Sequence, residues 1–498
     1  MAKYDVVIVG SGLGGLVSGY ILSKHGYRVI ILEKHFQIGG CLQTFKRSGT
    51  VFDTGMHYIG SMDSNQILHR FFNYLSLLDD VKISKLDPGA FDIISIQNQR
   101  FNFAMGFENF IESLSSQFPA EHKNLKNYVN KIRQIAAESP LYNLKEINQN
   151  VFLDADSVKT SVNEFIDSST KNPVLQNVLA GNLPLYAGVK DKTPLYIHAL
   201  INNFYIQSAY RIVGGSDSIA LSLAHSIRGM GGEILTSAEV IKFNCTDDKV
   251  SSVELKNGEI VEGKNFISNI HPQATIEKIE SHLIRKAYRE RISQLDNTIS
   301  NFTVYIKFKK ETVPYLNSNF YHYEQNQVWG CEDYEENVWP KNYLFMHQAP
   351  SVSPVFAESA QMIAYMKYSD VKKWENSRIG NRGAEYNDFK AQRTEKMLQS
   401  LERQFPGIKN NIESVNSSSP LTYRDYTATK EGSMYGVLRD KNFPTQTLVS
   451  QRTRISNLFM TGQNINSHGI LGVTIGAIIT CSEFLGVNTI IKDINQSL

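Results

Sequence analysis

Gly10, Gly12 and Gly15 follow directly on the apolar, β-branched run Val6-Val7-Ile8-Val9 in the pattern G-x-G-x-x-G, with Gly14 inside it. No other feature constrains the fold of this chain as strongly. The run reads as a parallel strand buried on both faces, and Leu16 to His25 as the helix that follows it. One glycine makes the tight turn, one lets the backbone approach a pyrophosphate, and one lets helix and strand pack closely. The start of the helix offers free N–H groups and a positive dipole end to phosphate oxygens. Gly26 stops the helix, and Arg28 to Leu32 predicts a second strand. Glu33 stands at its end, where a carboxylate accepts hydrogen bonds from a ribose. A glycine-rich turn alone can be purely structural. Strand, helix, second strand and acid in this order predict a dinucleotide site.

Beyond Glu33-Lys34 the chain runs to Gly39-Gly40-Cys41-Leu42-Gln43-Thr44. This stretch resembles the extended FAD fingerprint, E-K-x-x-x-x-G-G-x-x-x-T, of flavin amine oxidases and phytoene-desaturase-type proteins. The resemblance implies FAD, rather than NAD, as the tightly held ligand, with the paired glycines lying along its diphosphate.

The 498 residues suffice for two or three domains and a large core. With 51 basic and 49 acidic residues the formal charge is +2, which argues against nucleic acid as the main partner. The 26 Phe and 24 Tyr fit either an ordinary core or a tunnel for a long apolar substrate. The four cysteines, Cys41, Cys245, Cys331 and Cys481, form no C-x-x-C pair, so neither a redox disulfide nor a zinc spacing is present. Reduced thiols, a first strand close to the N-terminus and no apolar run of about 18 residues give a cytoplasmic expectation. Peripheral contact with the inner face of a membrane is its extension.

Gly49 to Gly60 reads as a strand and a turn close to the flavin. Residues 65–79 predict a helix with Ile67, Leu68, Phe71, Phe72, Leu75 and Leu78 on one broad face. Core packing is the default for such a face, and a membrane surface the alternative. Strands are predicted at Phe91–Ile96 and Phe101–Ala104, and helices from Phe107 to about Ala180. Leu183 to Gly188 and Pro194 to Tyr205 interleave apolar and aromatic residues with Asn and His, as a substrate lining or an ordinary buried helix would. A helix is predicted at Ile219–Met230. Strands follow at Glu233–Leu235, Ala238–Phe243, Val250–Leu255, Glu259–Val261 and, separately, Asn265–Asn269. Phe302–Phe308 and Met362–Met366 are further strands, and Tyr386–Phe405 is a helix whose charges read as a solvated face. Asn457–Gln463 is a strand ending in glycine, and His468 to Ala477 opens a small-residue helix reaching about Leu485. Its first N–H groups can sit beside a flavin carbonyl where negative charge gathers on reduction. The fold class is α/β: a Rossmann-like FAD-binding domain of the two-dinucleotide-binding, amine-oxidase-like type, with a discontinuous α+β substrate domain. Residues 1–80, 208–275 and 440–498 form the first, and residues 81–207 and 276–439 the second.

Gly10 to Thr44, Phe52 to Gly60, Gly214-Gly215-Ser216, Thr422 to Tyr426 with Gly432 to Gly436, and Gly462 to Ala477 together resemble the carotenoid/retinoid oxidoreductase family. The block D-x-G-x-H-Y-x-G, Asp53 to Gly60, points to its carotenoid isomerase and retinol saturase branch. Members bind FAD and desaturate, saturate or isomerise double bonds of polyene lipids. The resemblance therefore implies an FAD-dependent oxidoreductase for a polyene or isoprenoid. It implies cofactor contacts from Gly10, Gly12, Gly14, Gly15, Glu33, Lys34, Gly39, Gly40, Thr44, Met56, His57, Gly462, Gln463, Gly472, Val473 and Thr474. The backbone at Val240 would hold the adenine. The family's second nicotinamide pattern is absent, so an external donor or acceptor, a quinone or NAD(P)H, is implied.

His57 is the first candidate for a proton-handling group, because its motif belongs near the isoalloxazine and histidine titrates near neutrality. A hydrogen bond to the flavin or to a loop carbonyl is its alternative role. His198, His468 and Tyr435 are weaker candidates. Two rival functions share the fold: a flavin amine oxidase, and a non-enzymatic lipid carrier resembling the Rab GDP-dissociation inhibitors. A disulfide reductase lacks its cysteine pair.

Overall fold

The computed structural model describes residues 3–147, 155–351 and 354–497. Tyr4–Val9 lies inside a seven-stranded sheet, with Val6, Val7 and Ile8 wholly buried, as a strand covered on both faces must be. It pairs in parallel with Val29–Leu32 on one side and with the second half of Ile260–Ser268 on the other. Glu233–Leu235 extends the sheet at one edge, and Leu458–Met460 lies alongside Ile260–Ser268. The first half of Ile260–Ser268 pairs antiparallel with Lys249–Leu255, which pairs in turn with Val240–Thr246. The two strands expected at 259–261 and 265–269 are therefore one. Glu262 and Lys264 point outward where it passes from ribbon to sheet, and they read as a break. Helix Leu13–Lys24 packs against Asp217–Gly229 and Gly469–Leu485. The parallel strands end together at Val9, Leu32, Ser268 and Met460, the edge at which such sheets bind ligands.

The second seven-stranded sheet runs in the order Ile412–Ser418, Ser300–Phe308, Ser359–Met366, Asn342–His347, Asn319–Tyr323, Asp92–Ile96, Gln99–Phe103. On one face, Phe302, Val304, Phe320, Phe345 and Met362 share a core with Met397, Leu398 and Leu401 of helix Ala384–Gln404. On the other, cross-strand partners form the rows Ile94–Tyr321–Leu344–Ile363 and Asp92–Asn319–Met346–Gln361. Asn319–Tyr323, Asn342–His347 and Ile412–Ser418 carry no sequence expectation. In the first two, both faces are buried, and polar residues inside them interrupt any apolar alternation.

Helices Phe107–Gln117, His122–Ala137, Val162–Ser169, Pro173–Leu179 and Leu195–Gln207 share a core with one end of this sheet. Of the helical stretch expected there, residues 148–154 lie outside the described residues. The helix expected over 65–79 spans Ile67–Tyr74, and Leu68, Phe71, Phe72 and Tyr74 are buried in the core of the first sheet's domain. Its apolar face is thus covered by protein, and the membrane alternative for it falls. Among the described residues no single helix is long and apolar enough to cross a membrane.

Candidate active site

Two glycine loops meet at the carboxyl edge of the parallel sheet. Gly10 takes φ +97°, which favours glycine, and a Cβ on Gly15 would lie 2.1 Å from the Gly10 carbonyl oxygen. The Gly39 N–H donates to the Ser11 carbonyl at 3.1 Å, which draws the second loop across the first. Glu33 Oε2 accepts from the Ser11 N–H (3.0 Å) and hydroxyl (2.6 Å), and Oε1 from the His35 N–H (2.9 Å). A carboxylate offers about four lone-pair sites, so one is left for a ligand. Glu33 lines a cleft of about 1240 Å³, mouth included, together with Gly10, Gly12, Val240, Gly462 and Gln463. An acid at one end and two side-chain-free loops in the middle fit the ribose and diphosphate of a dinucleotide.

At Cys41, Thr427 and Gln463 this cleft meets a second cavity of about 1370 Å³, mouth included. Met56, Tyr58, Leu185, Tyr205, Ile363 and Tyr435 form much of its wall. Among the described residues, no Asp, Glu, Lys or Arg side chain lines it. The hydroxyl of Tyr205 donates to the Tyr58 carbonyl (3.3 Å) and that of Tyr435 to the Pro184 carbonyl (2.9 Å). Their polar ends are thus satisfied by backbone. Helix Gly469–Leu485 begins in this wall, where Gly469, Ile470, Leu471 and Gly472 bring a positive dipole end to the junction.

His57 lines the apolar cavity, and burial with the nearby charge of Arg211 pushes its imidazole down to about 4. His468 lies in the same wall, with Nε2 3.1 Å from the Leu185 carbonyl and its ring 4.3 Å from that of Tyr435. Burial holds it down at about 4 as well. Both are neutral at pH 7. His198 is elsewhere: buried in the helical core, with the Tyr128 hydroxyl 2.6 Å from Nε2 and the Tyr186 hydroxyl 2.7 Å from Nδ1.

Lys34 and Val473 line the nucleotide cleft, and Lys34 Nζ donates to the Asp425 carbonyl at 3.0 Å. Gly14 packs against Asn269 and Gly462, whereas Gly40 reaches the cleft itself. Met56 and Gly472 belong to the apolar cavity. Thr474 is buried within its helix. Thr44 lies in a polar groove on the other side of Cys41, and its hydroxyl donates to Asp217 at 2.9 Å.

Several site residues carry no individual role in the sequence, although Asp53, Tyr58 and Ser216 fall within its motifs. Asn269 lines the cleft and donates to the Gly10 carbonyl at 3.2 Å. Asp53 Oδ1 accepts from the Ser216 N–H (2.8 Å) and hydroxyl (2.7 Å), tying two loops together beneath the site. Tyr58 leads to Asp92, Tyr321 and Asn319 through a chain of hydrogen bonds behind the cavity wall. Asp92, an acid opening the mainly apolar strand Asp92–Ile96, is the sequence cue to the inner end of that chain.

Residues 8–75 match the NAD(P)-binding Rossmann-like domain family. All-trans-retinol 13,14-reductase of Rattus norvegicus is 28% identical, over 98% of this chain and 86% of its own length. Prolycopene isomerase 2, chloroplastic, of an Oncidium hybrid cultivar is 23% identical, over 96% of this chain and 83% of its own. A solved structure, the CLA-producing fatty acid isomerase from P. acnes, shares the fold with a TM-score of 0.63 at 12% identity, covering 97% of this chain and 99% of that one. Matched through both sheets by relatives of these two kinds, the chain is similar along nearly its whole length to proteins of the carotenoid/retinoid oxidoreductase kind.

Proposed function

We propose that this chain is an FAD-dependent oxidoreductase acting on carbon–carbon double bonds of a polyene lipid, by saturation, desaturation or isomerisation. One observation carries the reading: an uncharged aromatic cavity opens onto the far end of a cleft shaped for a dinucleotide, beside a helix N-terminus. Relatives named as a retinol reductase and a prolycopene isomerase support the substrate class.

Glu33 would hold the adenosine ribose, the loops at Gly10–Gly15 and Gly39-Gly40 the diphosphate, and the backbone at Val240 the adenine. The start of helix Gly469–Leu485 would favour the negative charge that a flavin gathers on reduction. Bound FAD supplies two-electron hydride chemistry. The protein's own part is to lay the polyene against the junction and to exclude water from it. Flat faces of Tyr205, Tyr365 and Tyr435 suit a conjugated chain. Electrons would be exchanged with an outside partner, a quinone or NAD(P)H. An amine substrate fits less well, because a buried ammonium would find no counter-charge in the cavity wall.

The purified protein is expected to be yellow and to release flavin on denaturation. Offered retinol or a poly-cis carotene with a reduced carrier, it should return a product that has gained or lost a pair of hydrogens, or one of unchanged mass and new spectrum. Peroxide release from primary amines with inert polyenes would select the amine oxidase instead. A colourless native protein would revive the carrier.

A further inference from the structure

Asp92 is a carboxyl group without solvent and, among the described residues, without a cation in contact. It opens strand Asp92–Ile96 on the sheet face that carries Tyr321 and Leu344. Strand pairing sets Asn319 directly opposite and Tyr321 two residues further along the same face. The Asn319 amide donates to Asp92 Oδ1 at 2.8 Å. The Tyr58 hydroxyl lies 3.1 Å from Oδ2 and 2.6 Å from the Tyr321 hydroxyl. Tyr58 lines the apolar cavity, and Asp92 stands behind it. The other titratable groups around the three are the cavity-lining Tyr205 and Tyr435, and Arg211. Arg211 is buried, and its guanidinium donates to Asn319 Oδ1 at 2.9 Å, so the amide relays its charge toward Asp92.

We propose that Asp92, Tyr58 and Tyr321 form a proton store in the cavity wall, from which the Tyr58 hydroxyl gives a proton to an alkene carbon of the bound polyene and takes one back. The proposal rests on the polyene reading above and adds to it the proton donor. In the forward step the alkene π pair forms the new C–H bond as the Tyr58 O–H bond breaks. The Asp92 proton passes to the phenolic oxygen, leaving a carboxylate that faces the Arg211 charge through Asn319. Positive charge remains on the conjugated chain, and no oxidant or reductant is consumed. Return of a proton from carbon to the same oxygen completes an isomerisation. A saturation would further consume a hydride from a donor of the dihydroflavin class, and Asp92 would then regain its proton from water before the next turnover.

Electrostatics agrees with this division of labour. Loss of solvent holds the Asp92 carboxyl up at about 7, against the opposing pull of Asn319, Tyr58 and Arg211. A group poised there both gives and takes a proton at physiological pH. Burial pushes the Tyr58 hydroxyl up, so it rests protonated. His57, held at about 4, lacks that poise.

The test uses the flavin-loaded protein with all-trans-retinol, and the ligand-free protein alone. Tyr58→Phe should keep the flavin spectrum and a cooperative melt, lowered only by the two hydrogen bonds lost, while turnover falls about 100-fold or more. Wild-type turnover should decline as pH rises through about 7, and Asp92→Asn should remove that limb. Infrared titration of the ligand-free protein should show a protonated-carboxyl band that bleaches across the same range and is missing in Asp92→Asn. Wild-type turnover in Tyr58→Phe, or no such band, overturns the store. A wild type inert toward every polyene sinks the functional reading, and the infrared band still decides whether Asp92 holds a proton.

Discussion

At Gly15 there is no room for one more carbon, since a Cβ would meet the Gly10 carbonyl oxygen at 2.1 Å. Gly15→Ala must therefore push the first glycine loop off the helix start, at a cost of about 1–3 kcal/mol for overpacking. Flavin content should fall further than stability, because the displaced loop is the one proposed to face the diphosphate. The flavin-to-protein absorbance ratio and the melting temperature together check this, and full flavin content in the variant would refute it. His57 allows a different expectation. Its imidazole is neutral above about pH 4, so histidine NMR should show no titration of His57 between about pH 5 and about pH 8. His57→Ala should retain the flavin, because the glycine loops and Glu33 that fit the nucleotide lie in another cleft. At this scale the sequence was legible where the constraint is local: Gly10 to Gly15 and Glu33 are fixed by one turn and one strand. Asp92 and Tyr58 were not, because only the register between Asp92–Ile96 and the distant strand Asn319–Tyr323 brings their partners together.

Elements were legible where burial leaves a periodic trace. Tyr4–Val9, Glu233–Leu235 and helix Gly469–Leu485 lie where the apolar runs and glycines put them. Asn319–Tyr323 and Asn342–His347 left no such trace. One face of each serves the core under helix Ala384–Gln404; on the other, Asn319 and Tyr321 enter a buried hydrogen-bond network, while Leu344 and Met346 join the core of the helical region. Helix Ile67–Tyr74 shows the opposite failing: its apolar stripe was plain, but composition does not say what covers it. The structure covers it with the core of the first domain, where Phe71 is wholly buried beside helix Val487–Gln496. Phe71→Ala should cost about 3–5 kcal/mol in urea denaturation, through lost transfer energy and a residual cavity. Binding to lipid vesicles by the folded protein should not weaken. A loss of vesicle binding at unchanged stability would return this helix to a membrane surface.

The whole molecule places its ionisable groups in a way that makes it sensitive to acid. Burial lowers five histidines, with His57 and His468 held at about 4, His198 and His347 at about 3, and His271 displaced in the same direction. Below the ordinary histidine value of 6.5 the unfolded chain binds protons that these native imidazoles refuse, so each one makes stability fall as pH falls. Three carboxyls act in the other sense: burial raises Asp53, Asp92 and Glu332, and the native state takes protons there that the unfolded chain declines. The histidines outnumber the raised carboxyls, so the balance is a loss of stability as pH falls below the histidine range. Carboxylates stabilised by partners, such as Asp5 beside Arg28 and Glu164 beside Lys441, add to the same slope only at lower pH. Urea midpoints measured from about pH 7 down to about pH 5 should therefore drop steeply, well before the ordinary carboxylate range is reached. Restoring part of that stability with His198→Gln, which keeps a polar side chain between the Tyr128 and Tyr186 hydroxyls but cannot be protonated, would identify a buried imidazole as the cause. A midpoint that stays level over this range would mean that the native histidines bind protons as freely as the unfolded ones, and that the interior around the apolar cavity is wetter than its packing.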